Sequence, residues 1–153
     1  MNHRDIKIGN KIPTEEQWEI IEQLQKGNDC VSDSVPGGGK STTCYFVAKV
    51  FKLLFPSKEI LNLTFSSDLK KESREKVKKY QISNMDIESY NSFAQNYYGQ
   101  GGVSAEELYE IIEKNKSAIK DIKYDLIILD EVQDMQSIFF KLINKYMKDI
   151  DFI

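Results

Sequence analysis

The chain is poor in the residues that most often carry covalent or redox chemistry. Its 153 residues include only two cysteines, Cys30 and Cys44. Neither lies in a zinc-ligand or redox spacing, so both read as small buried hydrophobes rather than as a disulfide. The single histidine, His3, sits in a polar amino-terminal stretch, which leaves out mechanisms built on a well-placed imidazole. No apolar run approaches membrane-spanning length, and Met1 to Lys11 is too polar to be a secretory signal. The expectation is an intracellular protein with no membrane partner. A net charge of −3 gives no uniformly basic, polyanion-coating surface.

What is present is a regular alternation of helical and extended patterns. Thr14 with Gln17 three residues on forms a capping box, and Ile20, Ile21 and Leu24 continue at helical spacing towards Gly27. Cys30 to Val35 is expected as a short strand, followed by a glycine turn at residues 36–39. From Lys40, the positions of Phe46, Val47, Val50, Phe51 and Leu54 predict an amphipathic helix closed by Pro56. Glu59 to Phe65 reads as a second strand and Asp68 to Tyr80 as a charged helix. Met85 to Ser89 reads as an extended piece, and Asn91 to Tyr98 as a helix. Ser104 and Glu107 cap a helix over Ala105 to Lys116, inside a short helical insertion at about residues 99–120. Tyr124 to Leu129 has the continuous apolar pattern of a fully buried parallel strand, and Met135 to Lys148 is again amphipathic. The order implies an α/β fold with a mainly parallel sheet between helical layers.

Two segments at strand ends carry chemistry. Pro36, Gly37, Gly38 and Gly39, followed by Lys40 and Ser41, form a turn whose amides can curl around phosphate oxygens at a helix amino terminus. Lys40 offers a point charge to the β- and γ-phosphates, and Ser41 a hydroxyl to Mg²⁺. Asp130 and Glu131 follow the apolar strand, as a metal carboxylate and a residue able to orient or deprotonate water. ATP and Mg²⁺ are the cofactors these residues imply.

The run Leu129-Asp130-Glu131-Val132-Gln133-Asp134 resembles motif II of UvrD/Rep-type superfamily 1 DNA helicases. The resemblance implies a three-layer P-loop NTPase, RecA-like, with residues 1–153 as the amino-terminal ATP-binding domain, incomplete at its carboxyl end. It implies catalytic roles for Lys40, Glu131 and Gln133. Residues 14–17 are similar to the family's Q motif, whose glutamine recognises adenine; Gln17 is equally the partner of the capping box. Ser34 stands where the strict P-loop has its first glycine, and Thr42 where many relatives hold an arginine packed on adenine.

Residues 63–67, with Lys70, are similar to motif Ia, and residues 89–93 to motif Ib, which together contact single-stranded DNA. The matching positions are Thr64, Phe65, Ser66, Lys70, Ser89 and Asn91, although Ser89 and Asn91 replace the family's usual threonine and histidine. The basic run from Lys70 to Lys79 suits strand tracking by charge, with bases stacked on Phe65; it equally reads as a solvated helix face, and Phe93 reads as core. Arginine fingers would come from a second RecA-like domain beyond Ile153, since Arg4 and Arg74 are the only arginines. The oligomeric state is open. A P-loop phosphotransferase and a nucleotide-holding remnant without turnover are the other readings left standing.

Overall fold

The computed structural model describes residues 5–33, 39–99, 104–132 and 135–149. The elements run α1 (Glu15–Gln25), α2 (Lys40–Leu54), β1 (Ile60–Thr64), α3 (Ser67–Lys79), β2 (Met85–Ser89), α4 (Tyr90–Tyr98), α5 (Ala105–Glu113), β3 (Leu126–Leu129) and α6 (Ser137–Asp149). They form two compact units, one of residues 1–58 with 75–85 and one of residues 59–74 with 86–153. The described elements make an α/β chain with one small all-parallel sheet.

In the first unit, α1 packs against α2. Thr14 caps α1 as its spacing predicts: Gln17 N–H donates to Thr14 Oγ1 at 3.3 Å and Thr14 N–H donates to Gln17 Oε1 at 3.0 Å. Trp18 and Ile21 are the buried residues of α1, and Tyr45 to Ala48, Val50 and Phe51 those of α2. Gly27, at φ +81°, takes the left-handed conformation that ends a helix without a Cβ penalty. Asn84 reaches the Ala48 carbonyl at 3.0 Å.

The strand expected over Cys30 to Val35 does not form at residues 30–33, and Ser34 and Val35 lie outside the described residues. Asp29, Ser32 and Asp33 supply few of the branched apolar side chains that hold a strand, and Val31 is 94% exposed. The two cysteines are half-buried thiols, not fully buried ones. Burial and then Asp29 raise the Cys30 thiol above its ordinary value.

The second unit holds the sheet, in the order β2-β1-β3. β1 pairs parallel with β3, Ile60 opposite Leu126 through Leu63 opposite Leu129. Central β1 is buried at every position, whereas β2 alternates as a strand with one wetter face does. The expectation of a fully buried β3 is corrected: all four of its residues are only half-buried. A strand apolar on both faces needs cover along both sides, and among the described residues β3 is paired with β1 alone.

Leu61 and Leu63, two apart and so on one face of β1, join a core with Tyr90, Phe93 and Tyr97 of α4, Leu108 and Ile111 of α5, and Leu142 and Tyr146 of α6. Phe93 meets Tyr146 edge to face at 4.5 Å. α5 stops three residues short of its expected end because Asn115, at φ +46°, turns the chain left-handed; Lys116 N–H then closes on the Ile111 carbonyl at 3.0 Å. No described helix is long and apolar enough to cross a membrane.

The Tyr146 hydroxyl is buried and has no hydrogen-bond partner among the described residues. Tyr146→Phe is therefore expected to stabilise the protein by about 1 kcal/mol, a rise in Tm of about 2–4 °C; a fall of that size would show that the hydroxyl has a partner.

Burial also raises three phenols: Tyr90 to about 12, and Tyr124 and Tyr146 further, with Asp86 adding to the effect on Tyr124. Below pH 10 each is protonated whether the chain is folded or not. Above it the unfolded chain sheds protons that the folded chain keeps, so stability is expected to fall from about pH 10 through pH 12. The limiting slope is about 1.4 kcal/mol per pH unit for each phenol. Urea titrations at pH 9 and pH 11 check this, and equal midpoints would contradict it.

Candidate functional site

In the first unit, α2 opens on the glycine turn. Gly39 is its N-cap at φ +85°, in the left-handed region, and among the described residues no side chain caps the helix. The first turn holds Lys40, Ser41 and Thr42 and no acidic residue. By contrast α1, α4 and α5 begin on Thr14, Ser89 and Ser104 side-chain caps, and α1 and α5 add first-turn glutamates. An uncapped amino terminus leaves N–H groups and the positive end of the helix dipole for an anion. Ser41 is exposed, and Lys40 and Thr42 are half-buried. Pro36, Gly37 and Gly38 lie outside the described residues.

Gln17 is tied to this turn. Its Nε2 donates to Thr43 Oγ1 at 2.8 Å and to the Gly39 carbonyl at 3.4 Å, while Oε1 accepts the α1 cap bond. Thr43 Oγ1 also donates to the Gly39 carbonyl, at 3.0 Å. A Cβ built on Gly39 would lie 3.5 Å from Gln17 Nε2. The amide that the Q-motif resemblance assigns to adenine is thus engaged at both ends. The Thr14-x-x-Gln17 spacing revealed the cap; the bond to a residue 26 positions away has no local signal.

In the second unit, parallel pairing sends the carboxyl ends of all three strands to one edge of the sheet. Thr64 ends β1 and Phe65 and Ser66 follow it, Ser89 to Asn91 lie at the end of β2, and Asp130 and Glu131 follow β3. Asp130 N–H extends the ladder to the Leu63 carbonyl at 3.0 Å. Asp130 Oδ1 accepts from Glu131 N–H at 3.0 Å, and Glu131 itself is left-handed at φ +56°. Tyr90, 2% exposed, donates its hydroxyl to the Asp130 carbonyl at 3.1 Å. Burial and then the Asp130 charge push this phenol up to about 12, so it remains a donor at neutral pH. Gln133 and Asp134 lie outside the described residues.

The residues matched to DNA contact divide by exposure. Phe65, 45% exposed, and Asn91 face solvent. Thr64 and Ser89 are buried, and Ser66 is half-buried. Thr64 Oγ1 donates to the Ser66 carbonyl at 3.3 Å, and Ser89 caps α4 through Ser92 N–H at 3.2 Å. Lys70 Nζ donates to Ser92 Oγ at 2.9 Å and lies 3.7 Å from Glu88, so the segments that resemble motifs Ia and Ib touch. Arg74 is held by Glu88 at 3.0 Å and by the Ile87 carbonyl at 3.0 Å. Glu88 and Tyr90 were invisible as site residues in the sequence, because their partners lie 14 to 40 positions away.

No group of three or more His, Cys, Asp or Glu gathers as a metal cluster among the described residues. Ser41 in the first unit carries a hydroxyl and Asp130 in the second a carboxylate, each a hard oxygen of the kind that Mg²⁺ takes beside phosphates and water. Comparison with protein-family models, with curated proteins and with solved structures finds no match to this chain.

Gln17→Ala removes the return half of a capping box and the bond to Thr43. It is expected to cost about 1–2 kcal/mol in urea denaturation. A loss under about 0.5 kcal/mol, the range of ordinary surface changes, would show that the bridge carries no weight.

Proposed function

We propose that this chain is the amino-terminal, RecA-like ATP-binding domain of a superfamily 1 DNA helicase of the UvrD/Rep type. It holds Mg-ATP and, joined to a second RecA-like domain, couples hydrolysis to movement along single-stranded DNA. The observation that carries the reading is the shared sheet edge. The three segments resembling motifs Ia, Ib and II leave three parallel strands at their carboxyl ends, where open α/β sheets bind ligands.

The amides at the start of α2 receive phosphate oxygens, and Lys40 adds a fixed cation. The resemblance assigns Ser41 and Asp130 to Mg²⁺, which would supply positive charge to the phosphates when bound. Glu131 orients and deprotonates water, and Gln133 acts beside it. Phe65 offers a ring face to a base, and Asn91 and Lys70 offer hydrogen bonds and charge to the DNA backbone. Hydrolysis also needs an arginine facing the γ-phosphate. Arg74 is committed to Glu88 and Ile87, which leaves that role to the second domain.

Calorimetry with Mg²⁺ and a non-hydrolysable ATP analogue is expected to show binding that Lys40→Ala weakens by about ten- to a hundredfold, the weight of a charge-assisted hydrogen bond. Without its arginine finger, a group worth about 10³–10⁵ in rate, the chain alone turns ATP over very slowly. No heat from the parent protein, or equal heat from Lys40→Ala, would refute the nucleotide site. Brisk DNA-stimulated hydrolysis by the isolated chain would refute the need for a second domain.

A further inference from the structure

We infer that Tyr90 is a positioning residue through which single-stranded DNA at the α4 amino terminus alters the set of the Asp130–Glu131 carboxylates, and so the affinity for Mg-nucleotide. The inference rests on the function proposed above and adds a route between its two ligands.

The route is a short series of bonds within one unit. Lys70 Nζ donates to Ser92 Oγ at 2.9 Å, Ser89 Oγ donates to Ser92 Oγ at 2.9 Å, and Ser92 N–H returns to Ser89 Oγ at 3.2 Å. Ser89 caps α4 and Ser92 lies in its first turn, Lys70 reaches that turn from α3, and Asn91 is exposed on it. A phosphodiester drawn to this turn by Lys70 competes for the same donors and shifts the turn.

Tyr90 is the first residue of that helix and lies between Ser89 and Asn91, yet it points inward. It is 2% exposed, its ring is 5.5 Å from that of Phe139, and its hydroxyl ends on the Asp130 carbonyl. A packed aromatic cannot absorb a shift of its own backbone by drifting, because a close-packed interior transmits displacement. The displacement therefore reaches the Asp130–Glu131 peptide.

The receiving end is a backbone position held in a conformation that its own residue type disfavours. Glu131 at φ +56° occupies a region that an L-residue with a Cβ leaves unless its surroundings hold it. The peptide before it accepts the Tyr90 hydroxyl at the Asp130 carbonyl and donates Glu131 N–H to Asp130 Oδ1. Altering the Tyr90 bond biases the left-handed state, and with it the directions of both carboxylates. Such an element, biased from two sites, is what a physical coupling requires.

The test measures the affinity for a non-hydrolysable ATP analogue with Mg²⁺, with and without saturating oligothymidylate, in the parent, Tyr90→Phe and Phe139→Leu. The parent is expected to show a change of about fivefold or more on adding DNA, the lower end of ordinary coupling. Tyr90→Phe should bind oligothymidylate alone within about twofold of the parent, should change its affinity for Mg-nucleotide alone because a bond that holds the Asp130–Glu131 peptide is gone, and should show coupling below about twofold. Phe139→Leu loosens the packing around the ring but keeps the hydroxyl, and should lower the coupling only in part even if its Tm falls. A purely structural role predicts the reverse: lower Tm in both variants and unchanged coupling in both. Parent-like coupling in Tyr90→Phe overturns the inference, as does a parent that binds both ligands without coupling. Loss of coupling in Phe139→Leu but not in Tyr90→Phe overturns it too. A parent that binds neither ligand overturns the proposed function and this inference with it.

Discussion

Parallel pairing of β1 with β3, carried one bond past the strands by Asp130 N–H on the Leu63 carbonyl, sets the direction in which the chemistry of the second unit emerges. With all three strands pointing one way, residues that are 25 positions apart in the chain at 65 and 90, and 40 apart at 90 and 130, leave the sheet along one edge. An antiparallel strand would have sent one of the three segments to the opposite edge. Burial of β1 at every position makes the register costly to slip, since a shift of one residue would turn its core side chains to the other face.

Along this edge, polar groups serve two purposes, and the structure separates them. Thr64 and Ser89 are spent on the fold, closing a turn and capping a helix, and Lys70 joins two segments through Ser92. Phe65 and Asn91 are left facing water. In the first unit the division falls differently. Gln17 is spent on holding Thr43 and Gly39, and among the described residues no side chain caps the start of α2. An uncapped helix start costs stability that the side-chain caps of α1, α4 and α5 supply elsewhere. A left-handed Glu131 costs roughly 1–3 kcal/mol more. Both costs fall at residues matched to nucleotide chemistry, where strain commonly collects.

Much of this was legible in the sequence because it is local. The Thr14 and Ser104 capping boxes, the apolar spacing from Lys40 to Leu54 and the stop at Pro56 all depend on neighbours within four residues. The patterns over Ile60–Thr64 and Met85–Ser89 gave strands for the same reason. Where the reading went astray, a more distant or subtler term decided. Cys30–Asp33 sits between two helices, where an alternating order calls for a strand, but has few apolar side chains to bury and forms none. Leu126–Leu129 reads as a strand covered on both faces, yet its burial depends on neighbours the pattern does not specify. Asn115 ends α5 early through a left-handed turn that helical periodicity cannot register. The ties from Tyr90 to Asp130 and from Gln17 to Thr43 join residues 40 and 26 positions apart and leave no trace in spacing.

Hydrogen exchange, resolved by residue, tests most directly whether the shared edge and the uncapped helix start are where ligands act. With Mg²⁺, a non-hydrolysable ATP analogue and oligothymidylate present, slowed exchange is expected in three places: the start of α2 at residues 40–43, the β1 and β2 ends at residues 65–70 and 90–92, and the β3 end at residues 130–132. The opposite ends of the strands, around residues 59–60 and 125–126, should exchange as they do without ligand. Protection at those opposite ends instead, or none at the carboxyl edge and the α2 start, would contradict the account.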